Sequence, residues 1–214
     1  MIHHYINLVC WRDMLDIHDP QRDFVWVDTF SLHKLVKIWH KNAQYRPGTS
    51  ILERIGPESS QDAPEWFFLT AHQVDGIPLE NQYCLPVFRD EIVLPASLVK
   101  CLEDLAAGVH VGIGISAPKQ NYLATALYHL RPDLEYHCLG AAIQGYYTEN
   151  GQSPRKSILT GSGLEWIRFL WISPARTWSK IECTLREIWL LQTQKKSRDA
   201  FRKFASICMS SQVL

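Results

Sequence analysis

Apolar residues follow two periods along the chain. Short continuous apolar runs over 24–27, 65–70, 109–115 and 136–141, rich in aromatic and β-branched side chains, read as buried strands. Elsewhere apolar residues recur three and four apart. Leu32, Leu35, Val36 and Trp39 make one helical face, with Ser31 as its expected N-cap. Tyr122, Leu123, Ala126, Leu127 and Leu130 make a second, stopped by Pro132. Another helix is expected over 95–107, with Pro95 in its first turn and Gly108 past its end. A short strand or helix is expected near 5–11 and again at 51–55, and loops at 56–64, 73–81 and 145–163. Beyond residue 163 only helical spacing remains: Leu164, Ile167, Leu170 and Trp171, then, after Pro174, Trp178, Ile181, Leu185, Ile188 and Trp189. Strands alternating with helices, then a helical tail, predict an α/β protein with a mainly parallel sheet.

The stretch 109–121 is the centre of this pattern. A strand of glycines and β-branched residues ends at Ser116 and Ala117, because Pro118 has no N–H to give to a central strand. Proline suits the first position of a helix, where that N–H would be unpaired. Strand, tight turn, helix and strand thus follow one another, and in such units ligands sit beyond the carboxyl ends of the strands, at helix N-termini. Residues 116–120 are the expected place for a phosphate or sugar. Gly112-x-Gly114-x-x-Ala117 matches a dinucleotide fingerprint. That chemistry needs the glycines after the strand and an acid at the end of the next one. Here the glycines lie inside the strand and Glu135 precedes the next, so the glycines read as room for close packing and no cofactor is expected.

Composition bounds the partners. The chain of 214 residues is long enough for one substantial core. Formal net charge is zero, which gives no polyelectrolyte signature and no reason to expect a nucleic-acid partner. The charge is uneven: 161–214 carries nine Lys+Arg and four Asp+Glu, leaving 13 and 18 for the rest of the 22 of each sign. The 6 cysteines have no CxxC spacing, which speaks for a reducing, cytoplasmic compartment and against zinc or thioredoxin motifs. No apolar run approaches the ~20 residues that span a bilayer, and the first residues lack the regions of a signal peptide, so membrane contact is expected to be peripheral. Self-association is left open.

Serine-hydrolase, Walker and zinc-protease motifs are absent. The polar residues at expected strand ends are Asp28, Thr29, Ser31, Lys119 and Gln120. If their strands are neighbours they bring together a carboxylate, hydroxyls, an amide and a cation, a set suited to a sugar diphosphate. The alternative is that the hydroxyls cap a helix while Gln120 and Lys119 are solvated. His33 and His40, seven apart, read as surface residues rather than metal ligands.

Residues 114–120 (Gly-Ile-Ser-Ala-Pro-Lys-Gln), Gly163-Leu164-Glu165-Trp166, and Pro174-Ala175-Arg176-Thr177-Trp178 resemble, in order and spacing, the bacterial WecG/TagA/CpsF glycosyltransferases. The resemblance covers about 109–190, with weaker likeness at 24–39 and 66–76. It implies a Rossmann-like body over 1–162 and a basic amphipathic helical appendage over 163–214. It also implies metal-independent transfer of an N-acetylhexosamine-type sugar from a UDP donor to an undecaprenyl-diphosphate-linked acceptor, at the inner face of the cell membrane. Thr29, Ser31, Lys119 and Gln120 would hold the donor, and Arg168 and Arg176 the acceptor's diphosphate or lipid headgroups. The chain departs from the family where that family carries acids. Its Pro-Asp-Gly is here Pro47-Gly48, Asn121 stands where an acid usually follows, and 140–144 has none. Asp28 is the remaining candidate for a catalytic base. A catalytically degenerate member that binds a ligand or partner is the alternative. In the tail, Trp166, Ile167, Trp171, Trp178 and Trp189, with nine cations, are expected to lie in an anionic membrane interface.

Overall fold

The computed structural model describes residues 1–7, 10–55, 65–88, 91–148 and 174–210; for residues 30, 31, 55, 148, 174–177, 179 and 180 only the backbone is described. Six strands form one all-parallel sheet: β1 (Ile2–Ile6), β2 (Asp23–Val27), β3 (Trp66–Thr70), β4 (Gln82–Cys84), β5 (His110–Gly114) and β6 (Glu135–Cys138), in the order β2-β1-β6-β5-β3-β4. β5 is interior, flanked by β3 and β6, as its apolar run demands. The first strand differs from expectation: it occupies 2–6, not 5–11. Its histidines disguise it, because both of its faces are buried and no polar alternation marks a solvent side. β4 was not legible, being short and only half-buried at the sheet edge.

Eight helices occur among the described residues: α1 (Met14–Ile17), α2 (Phe30–Lys37), α3 (Gly48–Ile55), α4 (Ala96–Glu103), α5 (Lys119–Leu130), α6 (Ala142–Thr148), α7 (Pro174–Thr193) and α8 (Lys195–Ser210). One sheet face carries Val25, Val27, Val111, Ile113 and Tyr136 under α1, α2, α4, α5 and α8. The other carries Tyr5, Trp26, Trp66 and Phe68 under α3 and α6. Helices thus cover both faces, a Rossmann-like α/β arrangement. Three local expectations are corrected. Thr29, not Ser31, is the N-cap residue of α2, because the chain leaves β2 still extended (φ −117°, ψ 144°) and turns into helix one residue later. Pro118 stands at the cap of α5 rather than inside it, and the Ala117–Pro118 peptide is cis. Residues 142–148 are helical, where the glycine at 145 had suggested loop, because Ile143 and Tyr147 bury one side against Phe68 and Trp66.

The C-terminal helices differ from each other. Phe201, Phe204, Ala205 and Cys208 on α8 are fully buried with Ile6, Val25 and Val27, so this C-terminal helix packs on the sheet. α7 is tied down on one side, where Glu187 accepts hydrogen bonds from Trp11 Nε1 at 3.1 Å and pairs with Arg12 at 2.9 Å. Its other side leaves Trp178, Leu185 and Trp189 about 60% exposed. No described helix is long and apolar enough to cross a membrane. The stripe expected over 164–171 lies outside the described residues.

Candidate functional site

In a parallel sheet every strand delivers its carboxyl end to the same edge, where helix N-termini also converge. Here the chain leaves β3 toward β4 and leaves β5 toward β6, in opposite directions, so the crevice between Thr70 and Gly114 is the topological switch point. Gly114 lets its neighbours pack closely there: a Cβ would come within 3.1 Å of both Thr70 Cγ2 and Ile143 Cδ1.

The expected site residues lie along this edge but do not meet at one point. Asp28 follows β2, and its Oδ1 accepts the Gly48 N–H at 2.7 Å, so the carboxylate sits on the first residue of α3. This places an acid beside Pro47-Gly48. Thr29 caps α2 by backbone only; its Oγ1 is buried and has no partner. Ser31 lies within the first turn of the same helix. Gln120, in the first turn of α5, is 3% exposed and leans toward β6: its Oε1 would be 3.4 Å from a Cβ on Gly140 and has no hydrogen-bond partner. Gly140 has φ +56°, a conformation that a side chain disfavours, and this lets the amide close against the backbone after β6. Lys119 points the other way and donates to the carbonyl of Phe88 beyond β4. Arg176 is in the first turn of α7, and Arg168 lies outside the described residues.

β2 and β5 are not neighbours; β1 and β6 lie between them, so Thr29 and Lys119 are separated by about 14 Å of sheet, three strand spacings. Gln120's lean toward Gly140 shortens the gap on its side. Two further residues line this edge, Tyr5 within the interval and Arg46 on the outer side of β2. Tyr5, penultimate in β1, is buried, with a hydroxyl that has no partner and is held above its usual pKa by that burial. Arg46 lies with its guanidinium 3.9 Å from the centre of the Trp26 ring, and its backbone N–H donates to the Val27 carbonyl. Misplacing the first strand hid Tyr5; reading 46–50 only as a turn hid Arg46. Asn121 is fully buried, its Oδ1 also without a partner and its amide on Met14 Sδ at 3.8 Å.

The sheet order, the helices on both faces and the polar carboxyl edge define the molecule as a member of the parallel, Rossmann-like α/β class. Comparison with protein-family models, with curated proteins and with solved structures gave no match.

Proposed function

We propose that the protein is a glycosyltransferase that takes an N-acetylhexosamine-type sugar from a UDP donor and passes it to a lipid-linked diphosphate acceptor at the inner face of a membrane. The observation that carries this reading is the set of buried oxygens without partners at the carboxyl edge: Tyr5 Oη, Thr29 Oγ1 and Gln120 Oε1. Buried polar atoms are nearly always paired, and a row of unpaired ones along a binding edge suits a ligand rich in hydroxyls. Thr29, Ser31 and Gln120 would orient the donor, with the N-terminus of α5 near its diphosphate. Asp28 would accept the proton of the attacking acceptor hydroxyl as its oxygen bonds the anomeric carbon and UDP leaves. Arg168 and Arg176, with the exposed tryptophans of α7, would hold the lipid-linked acceptor.

A second reading has its own support. Asp28 is engaged in capping α3 and Lys119 in binding the Phe88 carbonyl, so both charged groups of the site already have protein partners. That suits a member of the class that binds a sugar nucleotide or a partner without turnover. Calorimetric titration with UDP-sugars separates the cases. Binding that Gln120→Ala weakens about three- to tenfold, the worth of one hydrogen bond, is expected. Turnover with a lipid-linked acceptor, abolished in Asp28→Asn, supports the transferase; binding without turnover supports the second reading. Failure to bind any UDP-sugar removes the transferase and the sugar-nucleotide form of the second reading.

A further inference from the structure

At the amino edge of the same sheet, away from the strand ends just described, β1, β6 and β5 place four groups on one face: His3, His137, His110 and Glu135. The register makes them nearest neighbours. His3 lies opposite His137 and His110 opposite Glu135, while His137 faces Gly112, which has no side chain to crowd it. The imidazoles stack across the strands, His3 on His137 at 4.6 Å and His137 on His110 at 5.0 Å. Glu135 Oε2 is 3.6 Å from His3 Nε2 and 3.9 Å from His110 Nδ1.

We propose that His3, Glu135 and His137 form a binding site for a divalent zinc-like cation that staples β1 to β6, with His110 orienting His137. Two imidazoles and a carboxylate are a ligand set that zinc accepts. One ligand atom from each lies within 4.8 Å of the others. Tetrahedral coordination at about 2.1 Å requires about 3.4 Å between ligand atoms, so a modest closure is needed. The partly exposed Glu135 carboxylate and His3 ring can supply it. His137 is fully buried; one ring nitrogen bonds His110 Nδ1 at 2.8 Å and the other, Nδ1, has no partner. A bound cation with His110 as the neighbouring acceptor is the usual way such a histidine is satisfied, since ligating imidazoles pass their other N–H to a nearby group.

The site carries its own reporter. Trp26 Nε1–H donates to His3 Nδ1 at 3.3 Å, which leaves the His3 proton on Nε2, toward Glu135. Ligation through Nε2 moves that proton to Nδ1 and ends the Trp26 bond, so indole fluorescence should change with metal. Trp66, packed on His110 and His137 at 5.1 and 5.0 Å, adds to the signal.

This inference does not depend on the glycosyltransferase reading, and its test needs no substrate. The full chain, stripped with EDTA and dialysed, is titrated with zinc chloride by calorimetry and fluorescence, and with cobalt chloride by visible absorption. One equivalent of zinc, a fluorescence change, and a four-coordinate cobalt spectrum without a thiolate charge-transfer band are expected. Glu135→Gln and His3→Gln, checked for native circular dichroism, should each weaken zinc at least about tenfold. The exposed thiols are controlled by the double variant Cys84→Ser/Cys183→Ser, which should bind as the parent. No stoichiometric zinc in the parent chain, unchanged affinity in the folded Glu135→Gln and His3→Gln variants, or loss of binding with the cysteines would each overturn the proposal.

Discussion

Single positions in this fold are set by contact at tenths of an ångström. A Cβ on Gly112 would sit 2.7 and 2.9 Å from the edge of the Phe68 ring, which is itself buried and stacked on Trp66. Gly112→Ala should therefore destabilise by about 1–3 kcal/mol, the cost of overpacking. Gly145, in α6, has open space where its Cβ would be, and Gly145→Ala should stabilise by about 0.5–1 kcal/mol by reducing the freedom of the unfolded chain. Denaturant melts of the two variants check both signs. The buried pair Arg22–Asp23, bonded at 2.7 and 2.9 Å, gives a pH-dependent case. Burial alone would push the Asp23 carboxyl up, but the hydrogen bonds from Arg22 and the Asp19 N–H, with His4 beside it at 3.6 Å, hold it well below the usual carboxylate range. Its folded pKa lies below its unfolded one, so its contribution is complete above about pH 5 and fades as pH falls through about 4 and below. Asp23→Asn should cost about 3–5 kcal/mol at pH 7 by leaving Arg22 buried and unpaired, and should flatten the acid limb of the stability profile. An undiminished acid limb in that variant would assign the effect to other groups. The sequence showed Gly112 as a packing glycine, because its strand is plainly buried. It did not show that Asp23 begins β2 inside the protein, because an acid before an apolar run reads as a loop residue.

Elements were legible where period and burial agreed. The strands at 24–27, 66–70 and 110–114 and the helices at 96–103 and 119–130 follow from their patterns. β1 was misplaced because it carries two histidines, one of them, His4, fully buried, a tertiary fact that the pattern does not carry. The candidate site suffered in the same way: Asp28, Thr29 and Gln120 do end their strands or open their helices, but the register that puts β1 and β6 between them is not written in any one segment. The tail divides by face. On α8, Phe201→Ala should cost about 3–5 kcal/mol in a melt, since its ring packs against Trp11 and Trp39 inside the core. On α7, replacing Trp178 and Trp189 by alanine together should leave the melting temperature within about a degree, because neither is buried, while weakening sedimentation with anionic vesicles. The exposed Arg186, Lys195, Lys196, Arg202 and Lys203 should make that sedimentation fall with salt. Vesicle binding that is unchanged in the double variant would remove the interfacial role of α7. Shortening the chain ahead of α8 is a poor substitute for these variants, because it uncovers Ile6, Val25 and Val27 and would cause pelleting by itself.

For the molecule as a whole, one arrangement governs how it is made. β1 has β2 on one side and β6, more than 130 residues later, on the other, and the core over Ile6, Trp11 and Val27 is closed by Phe201 and Phe204. At roughly 5–20 residues per second of synthesis, about 10–40 s separate the emergence of residue 6 from that of residue 201. Throughout that interval the nascent chain presents an apolar surface with no native cover. Pairing β1 with β6 requires closure of a long loop, which slows folding as well. A stalled or truncated translation product that lacks α8 is thus expected to aggregate rather than persist as a smaller folded unit.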